Sequence, residues 1–137
     1  MRLKQAIYYL LKKINLVEEI PVTMLDAVVY AGEELPVTAY RYGRVVSITG
    51  VVSPKVQVAA GGTLDICSIP RKYSPNAPKA RIVFQGSSNN IWTGSMGDDG
   101  YVCKVQLERY RAGTTPNPVP TNAWLPFHFA YIMGDNV

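Results

Sequence analysis

The sequence predicts a mainly β chain: an antiparallel β-sandwich of jelly-roll type, with one short amphipathic helix at its amino end. Three observations carry that prediction. Apolar and polar residues alternate with a period of two in several segments, the pattern of strands half-buried in an antiparallel sheet. Eleven Gly and ten Pro in 137 residues break those segments up, leaving short strands with turns at intervals of roughly 8–15 residues, as in sandwiches and jelly rolls. Only one stretch, at the amino end, has helical spacing.

That stretch is Leu3 to Val17. Apolar residues fall at Leu3, Ile7, Leu10, Ile14 and Val17, with Leu11 widening the stripe, while Lys4, Gln5, Lys12 and Lys13 take the other side. A helix this short is marginal in water unless its apolar side packs on something. The a/d spacing favours association with copies of itself over packing on its own sheet, and Ile at a with Leu at d leans towards a dimer. Pro21 then breaks the chain over Glu18–Pro21, since the residue before a proline avoids the helical region. Val28, Val29 and Tyr30 suggest a first strand, Gly32-Glu33-Glu34 a turn, and Pro36 to Tyr42 a strand at a sheet edge, where proline is tolerated.

The strand from Arg44 has Val46, Ile48 and Val52 on one face and Val45, Ser47, Thr49 and Val51 on the other. After the Gly61-Gly62 turn, Leu64 and Ile66 oppose Asp65 and Cys67, and Ile69-Pro70 stops the strand. The Pro-rich segment after Pro70 reads as an ordered loop. Arg81–Gln85, with Ile82 and Phe84 inward, and Asn90–Ser95, with Ile91 and Thr93 inward, form a hairpin about the Gly86–Asn89 turn. Asp98-Asp99-Gly100 turns into a strand with Tyr101, Cys103, Val105 and Leu107 on one face. Tyr110 to Asn122 reads as a long Pro-rich loop. The last strand puts Leu125, Phe127, Phe129 and Tyr131 inward, with Trp124, His128 and Ala130 outward. The expected organisation is a helix over 1–20, connecting strands over 21–43 and a sandwich head over 44–137.

Composition argues against several classes of function. The net charge is +4 and its basic residues are scattered, whereas nucleic-acid binding concentrates them in one stripe with aromatics interleaved. No run of about 18 apolar residues exists to span a membrane. The apolar run Ala6–Leu11 is closed by Lys12-Lys13 without a small-residue cleavage site, so synthesis in a cytoplasm, without export by a signal peptide, is expected. One His and two distant cysteines exclude a zinc site of N and S ligands. Cys103 reads as a small buried hydrophobe. Neighbouring strands could bring Cys67 to it, but a reducing compartment disfavours that bridge.

No catalytic constellation survives inspection. His128 lies on a strand with no GxSxG elbow in the chain. Asp98 and Asp99 are adjacent turn residues, and Gly97–Gly100 lacks the spaced oxygen ligands of a calcium loop. Gly61-Gly62 has no following Lys or helix to make a phosphate loop. We expect no enzyme, cofactor or metal. Binding is what remains, and the candidate ligand contacts are Trp92, Asp98, Asp99, Tyr110 and Trp124, with Tyr73 a further aromatic outside the inferred core stripes. A sharper expectation is a ligand surface formed by loops at one end of the sandwich, Ser87–Asn90, Ser95–Gly100 and Ala112–Asn122.

The stretch Tyr42-Gly43-Arg44-Val45-Val46-Ser47-Ile48-Thr49-Gly50-Val51-Val52, then Gly61-Gly62-Thr63-Leu64, then Ile69-Pro70 and Tyr73-Ser74-Pro75, resembles the carboxy-terminal domains of bacteriophage tail-fibre and receptor-binding proteins. Asp99-Gly100-Tyr101 and Trp124-Leu125-Pro126-Phe127 occupy the later places of that pattern. The resemblance covers residues about 40–133 and consists of turns and core positions, without a binding motif. It implies a small β-sandwich, usually trimeric, exposed on a virion and often binding host-surface saccharides. Such domains generally end a long shaft, whereas a short helix precedes this one. That departure also suggests a capsid- or tail-decorating protein with the helix as stem or docking peg and no glycan ligand. The expected partners are thus copies of the chain, other virion proteins and a host glycan.

Overall fold

The computed structural model describes residues 2–13, 17–76 and 79–134. After helix α1 (Leu3–Lys13), eleven strands follow: β1 (Val17–Ile20), β2 (Thr23–Met24), β3 (Ala27–Val29), β4 (Thr38–Tyr42), β5 (Val45–Pro54), β6 (Leu64–Pro70), β7 (Ala80–Gln85), β8 (Ile91–Asp98), β9 (Val102–Ala112), β10 (Thr115–Pro116) and β11 (Leu125–Ile132). Antiparallel pairing sorts them into two sheets. One runs β1-β4-β5-β11 with β3 also on β5, and the other runs β2-β6-β9-β8-β7 with β10 on β9. The mainly β class read from the alternation, with antiparallel sheets and one short amino-terminal helix, is the one observed.

Strand β5 is the axis of the first sheet. Val46, Ile48 and Val52 are buried and Val45 and Thr49 exposed, as a period of two requires. Its partner β11 takes one edge from Val45 to Val52. Strands β4 and β3 therefore share the other edge end to end, β4 against Val45–Thr49 and β3 against Val52–Pro54. In β11 Leu125, Phe127 and Phe129 are buried and His128 and Ala130 exposed. These inner faces meet Trp92 and Met96 of β8 and Cys103, Val105 and Leu107 of β9 in one core.

The amino-terminal third departs from expectation. Val17 opens β1 instead of closing the helix, Ile14 lies outside the described residues, and the described helix runs Leu3–Lys13. Glu18–Ile20 is strand, not break. Pro21 ends β1 and sends the chain across to β2 in the other sheet. Strand β4 is interior, flanked by β1 and β5, because Pro36 precedes the paired residues and removes no ladder bond. Residues 17–42 thus belong to the sandwich; a boundary at 43–44 would cut β4 from β5.

Two bulges account for the misread faces. In β6 the register shifts between Asp65 and Cys67, which brings Cys67 to the core beside Ile66 instead of outward with Asp65. Both cysteines are free and buried. Burial first, and the neighbouring Cys103 second, push the Cys67 thiol up to about 12, which makes it unreactive. In β9 the shift lies opposite Thr93/Gly94, so Leu107 pairs with Gly94 and Arg109 with Thr93. The extra residue, Glu108, lets Leu107 and Tyr110 both face inward although three positions separate them. At the ends of the expected strands, Tyr101 is 87% exposed in the turn, and Ile82 is exposed because β7 is a sheet edge.

One polar cluster ties β1 to the 3-10 turn at Arg71–Tyr73. The Tyr73 hydroxyl donates to Glu18 Oε1, and Arg41 Nη2 lies 3.5 Å from Glu18 Oε2. The Tyr73 hydrogen bond is the largest influence lowering the Glu18 carboxyl, and Arg41 adds to it. A carboxyl lowered on folding adds stability above its ordinary value of 4.5 and loses it as pH falls through the folded value. Denaturant melts of Glu18→Gln across the acid range are expected to show a shallower fall in stability than wild type. Parallel curves would contradict the assignment.

Candidate functional site

Strand β8 begins at Ile91, paired with Arg111, and ends at Asp98, paired with Cys103. The Ser87–Asn90 turn and the Asp98–Gly100 turn therefore lie at opposite ends of the sandwich. Of the three loops expected to converge, two do so, Ser87–Asn90 and Ala112–Asn122, and Ser95–Gly100 does not.

The end that carries two loops is built rigidly. Asn117 Nδ2 donates to Asn90 Oδ1 at 2.7 Å, and Asn90 Nδ2 to the Ser87 carbonyl at 2.9 Å. The Trp124 backbone N–H donates to Ser87 Oγ at 2.8 Å. Two hydrogen bonds between Val58 and Val119 tie the 55–63 loop to the Pro-rich loop, with the Val119 side chain buried as the anchor. Pro116, Pro118 and Pro120 restrict φ along the same loop. Between these loops lies a hollow of about 450 Å³, lined by Ser87, Ser88, Asn90, Tyr110, Asn117 and Asn122, with Pro118 and Pro120. Ser88 sits at φ +55, a conformation that non-glycine residues adopt sparingly and that is concentrated at functional loops. The lining is hydroxyls, amides and one phenol ring, a set that donates and accepts hydrogen bonds without fixed charge.

A second hollow, about 390 Å³, adjoins it on the outer face of the β9 sheet, lined by Gly61, Glu108, Arg109, Tyr110, Arg111, Thr114 and Pro116. Tyr110 is common to both.

The other candidate contacts fall elsewhere. Trp92 is fully buried, its indole N–H donating to the Gln85 carbonyl at 3.2 Å and its rings packed on Phe84 and Phe127. It is core. Tyr110 is 4% exposed and serves as wall between the hollows, and Tyr73 is likewise buried. Trp124 is half-buried, reaching the loop end through its backbone. Asp98 and Asp99 build their own turn. Asp98 accepts from Arg71 Nε at 2.8 and 2.9 Å and from the Gly100 N–H at 2.7 Å. Asp99 accepts from the Tyr101 and Val102 N–H groups at 2.8 and 2.9 Å. Gly100, at φ +97, supplies the left-handed residue the turn needs. The Arg71 hydrogen bond at Asp98, and the Val102 and Tyr101 N–H groups at Asp99, lower both carboxyls; with their oxygens so occupied, these two residues hold a hairpin.

Among the described residues no three His, Cys, Asp or Glu side chains are grouped as a metal site would require, and no helix is long and apolar enough to cross a membrane. No protein-family model, no curated protein and no solved structure matches this chain. Sequence reasoning passed over Arg109 and Arg111. The signal was the local alternation Arg109-Tyr110-Arg111, hidden because the bulge at Glu108 breaks its phase with Cys103–Leu107 and because the segment reads as the start of a proline-rich loop.

Proposed function

We propose that this chain is a non-enzymatic bacteriophage or prophage virion protein that assembles as a homo-oligomer, a trimer by resemblance, and recognises a host-surface saccharide at the loop end of its sandwich. The observation that carries the recognition is the uncharged hollow beside Tyr110. Saccharides present dense hydroxyls that both donate and accept; Ser88 and Asn122 are exposed to meet them, and Ser87, Asn90 and Asn117 add the hydrogen-bonding capacity left over from the bonds that brace the loops. The proline-stiffened, cross-bonded loops lower the ordering cost of binding. The likeness to tail-fibre and receptor-binding domains supports the virion setting. Asn122 is exposed at the hollow's rim, so Asn122→Ala should leave stability unchanged and weaken glycan binding about threefold to tenfold, the worth of one or two neutral hydrogen bonds. A glycan array followed by titration of the best binder measures this. No binding by the wild type to any host-envelope glycan would sink the receptor role.

The second reading, a capsid- or tail-decorating protein without a glycan ligand, draws on α1, whose Leu3, Ile7 and Leu10 side chains are exposed and free to dock.

A further inference from the structure

The hollow on the far side of Tyr110 has a different chemistry from the saccharide-like one. Strand β9 places Arg109 and Arg111 two apart, opposite Thr93 and Ile91 of β8, so both share the outer face of the sheet. Both line the 390 Å³ hollow with Thr114 and Gly61. Among the described residues neither guanidinium has an ion-pair or hydrogen-bond partner, and the Arg111 Nε atom is buried with none. A buried guanidinium N–H without an acceptor is costly, and a water, an ion or a ligand oxygen supplies the missing acceptor.

The one carboxylate at the hollow does not answer it. Glu108 is held by Arg81 at 3.0 Å and by Lys79 at 3.6 Å. Burial pushes its carboxyl up, but hydrogen bonds from Arg81 and Ser95 and the Arg81 and Lys79 charges outweigh that and hold it below the usual carboxylate range. Glu108 therefore directs its charge at other cations, which leaves the exposed Arg109 and the half-buried Arg111 without a carboxylate partner among the described residues.

We infer that Arg109 and Arg111 form an oxyanion subsite, and that the saccharide recognised at this end is an acidic one whose carboxylate or phosphate enters that subsite while its neutral hydroxyls meet the hollow across Tyr110. This inference rests on the saccharide reading for its second half. Guanidinium groups suit the geometry of carboxylate and phosphate oxygens, which accept paired N–H bonds. The hollow is lined by Thr114 as a hydroxyl donor and by Gly61, whose lack of a side chain leaves room. A broad nucleic-acid face is the less favoured occupant, because the basic pair is confined to one hollow and the net charge is small.

The test is titration of the wild-type chain, followed by amide NMR shifts, with four probes: trigalacturonate, its methyl ester, a glycerol-phosphate oligomer and inorganic phosphate. Trigalacturonate or the glycerol-phosphate oligomer should bind at least about tenfold tighter than the uncharged ester, as expected for charge-assisted bonds, and the preferred one tells carboxylate from phosphate. Arg109→Gln and Arg111→Gln should erase that preference while leaving binding of the ester and the melting curve unchanged. Equal affinity for acid and ester, or an undiminished preference in both variants, overturns the subsite and leaves the saccharide reading standing. Shifts at Arg109 and Arg111 with phosphate but no binding of any saccharide would sustain the subsite and overturn the saccharide reading. No shift with any probe overturns both. Tighter binding of a dT oligonucleotide than of every acidic saccharide would also overturn the inference.

Discussion

Trp92→Ala is expected to destabilise the chain by about 3–5 kcal/mol, the usual cost of emptying an aromatic core site, against a total stability of roughly 5–15 kcal/mol for a domain of this kind. The indole is completely buried between the sheets, 4.8 Å from Phe84 and 6.4 Å from Phe127 by ring centroids, and Phe84 in turn meets Phe129 edge-on at 5.3 Å. Gly94 shows how tightly this cluster closes. A methyl group there would lie 2.8 Å from Phe84, 2.9 Å from Trp92 and 3.2 Å from Phe129. The rings fill the space that Gly94 leaves, so removing the largest of them opens a cavity the neighbours cannot cover without moving. The Gln85 carbonyl also loses its indole donor. Urea unfolding measures the loss, and a change below about 1 kcal/mol would contradict a close-packed cluster. A binding assay on Trp92→Ala would report the fold and not the site, which is why recognition is better tested at Asn122, Arg109 and Arg111.

The misreading of Trp92 shows where the residue pattern carries structure and where it stops. Strand β11 was legible because a large side chain stands at every inward position from Leu125 to Tyr131. Strand β8 was not, since its inward series is Trp92, Gly94 and Met96, and the glycine interrupts it. The β-branched Ile91 and Thr93 of the outer face then look like the core series. Tyr110 was lost for a related reason: a strict period from Cys103 to Leu107 puts it outside, and only the bulge at Glu108 turns it in. Bulges of this sort depend on the partner strand, so one strand's residues do not disclose them. The loop end was legible in part. Its turn residues mark loops, but which loops share an end follows from pairing, and the Asp98–Gly100 turn went to the far side for that reason. The Arg109/Arg111 pair depends on β9 running on to Ala112, past the point where the proline-rich composition suggests a loop.

The proposed assembly through α1 makes the second large prediction. Leu3, Ile7 and Leu10 are 77, 49 and 57% exposed, so this part of the apolar stripe finds no cover among the described residues of the chain's own sandwich. The described helix, Leu3–Lys13, spans eleven residues, and a helix of that order is marginal in water by itself; a partner surface is the natural source of its stability. In the proposed assembly copies of the same helix would meet that need, since the positions are spaced four and three apart as an a/d seam requires. Replacing Leu10 by Asp places a carboxylate in each copy's seam, at a cost on the order of several kcal/mol per buried, unpaired charge. Sedimentation velocity should then find Leu10→Asp as single chains at concentrations where the wild type sediments as an oligomer, with the β signature in circular dichroism intact. Leu35→Asp, at a site 70% exposed and away from the helix, should sediment like wild type. If Leu10→Asp and wild type form the same oligomer, the helix does not hold it together. If the wild type is itself a single chain, self-association falls, and the stripe is free to dock on another virion protein, as the decorating-protein reading requires.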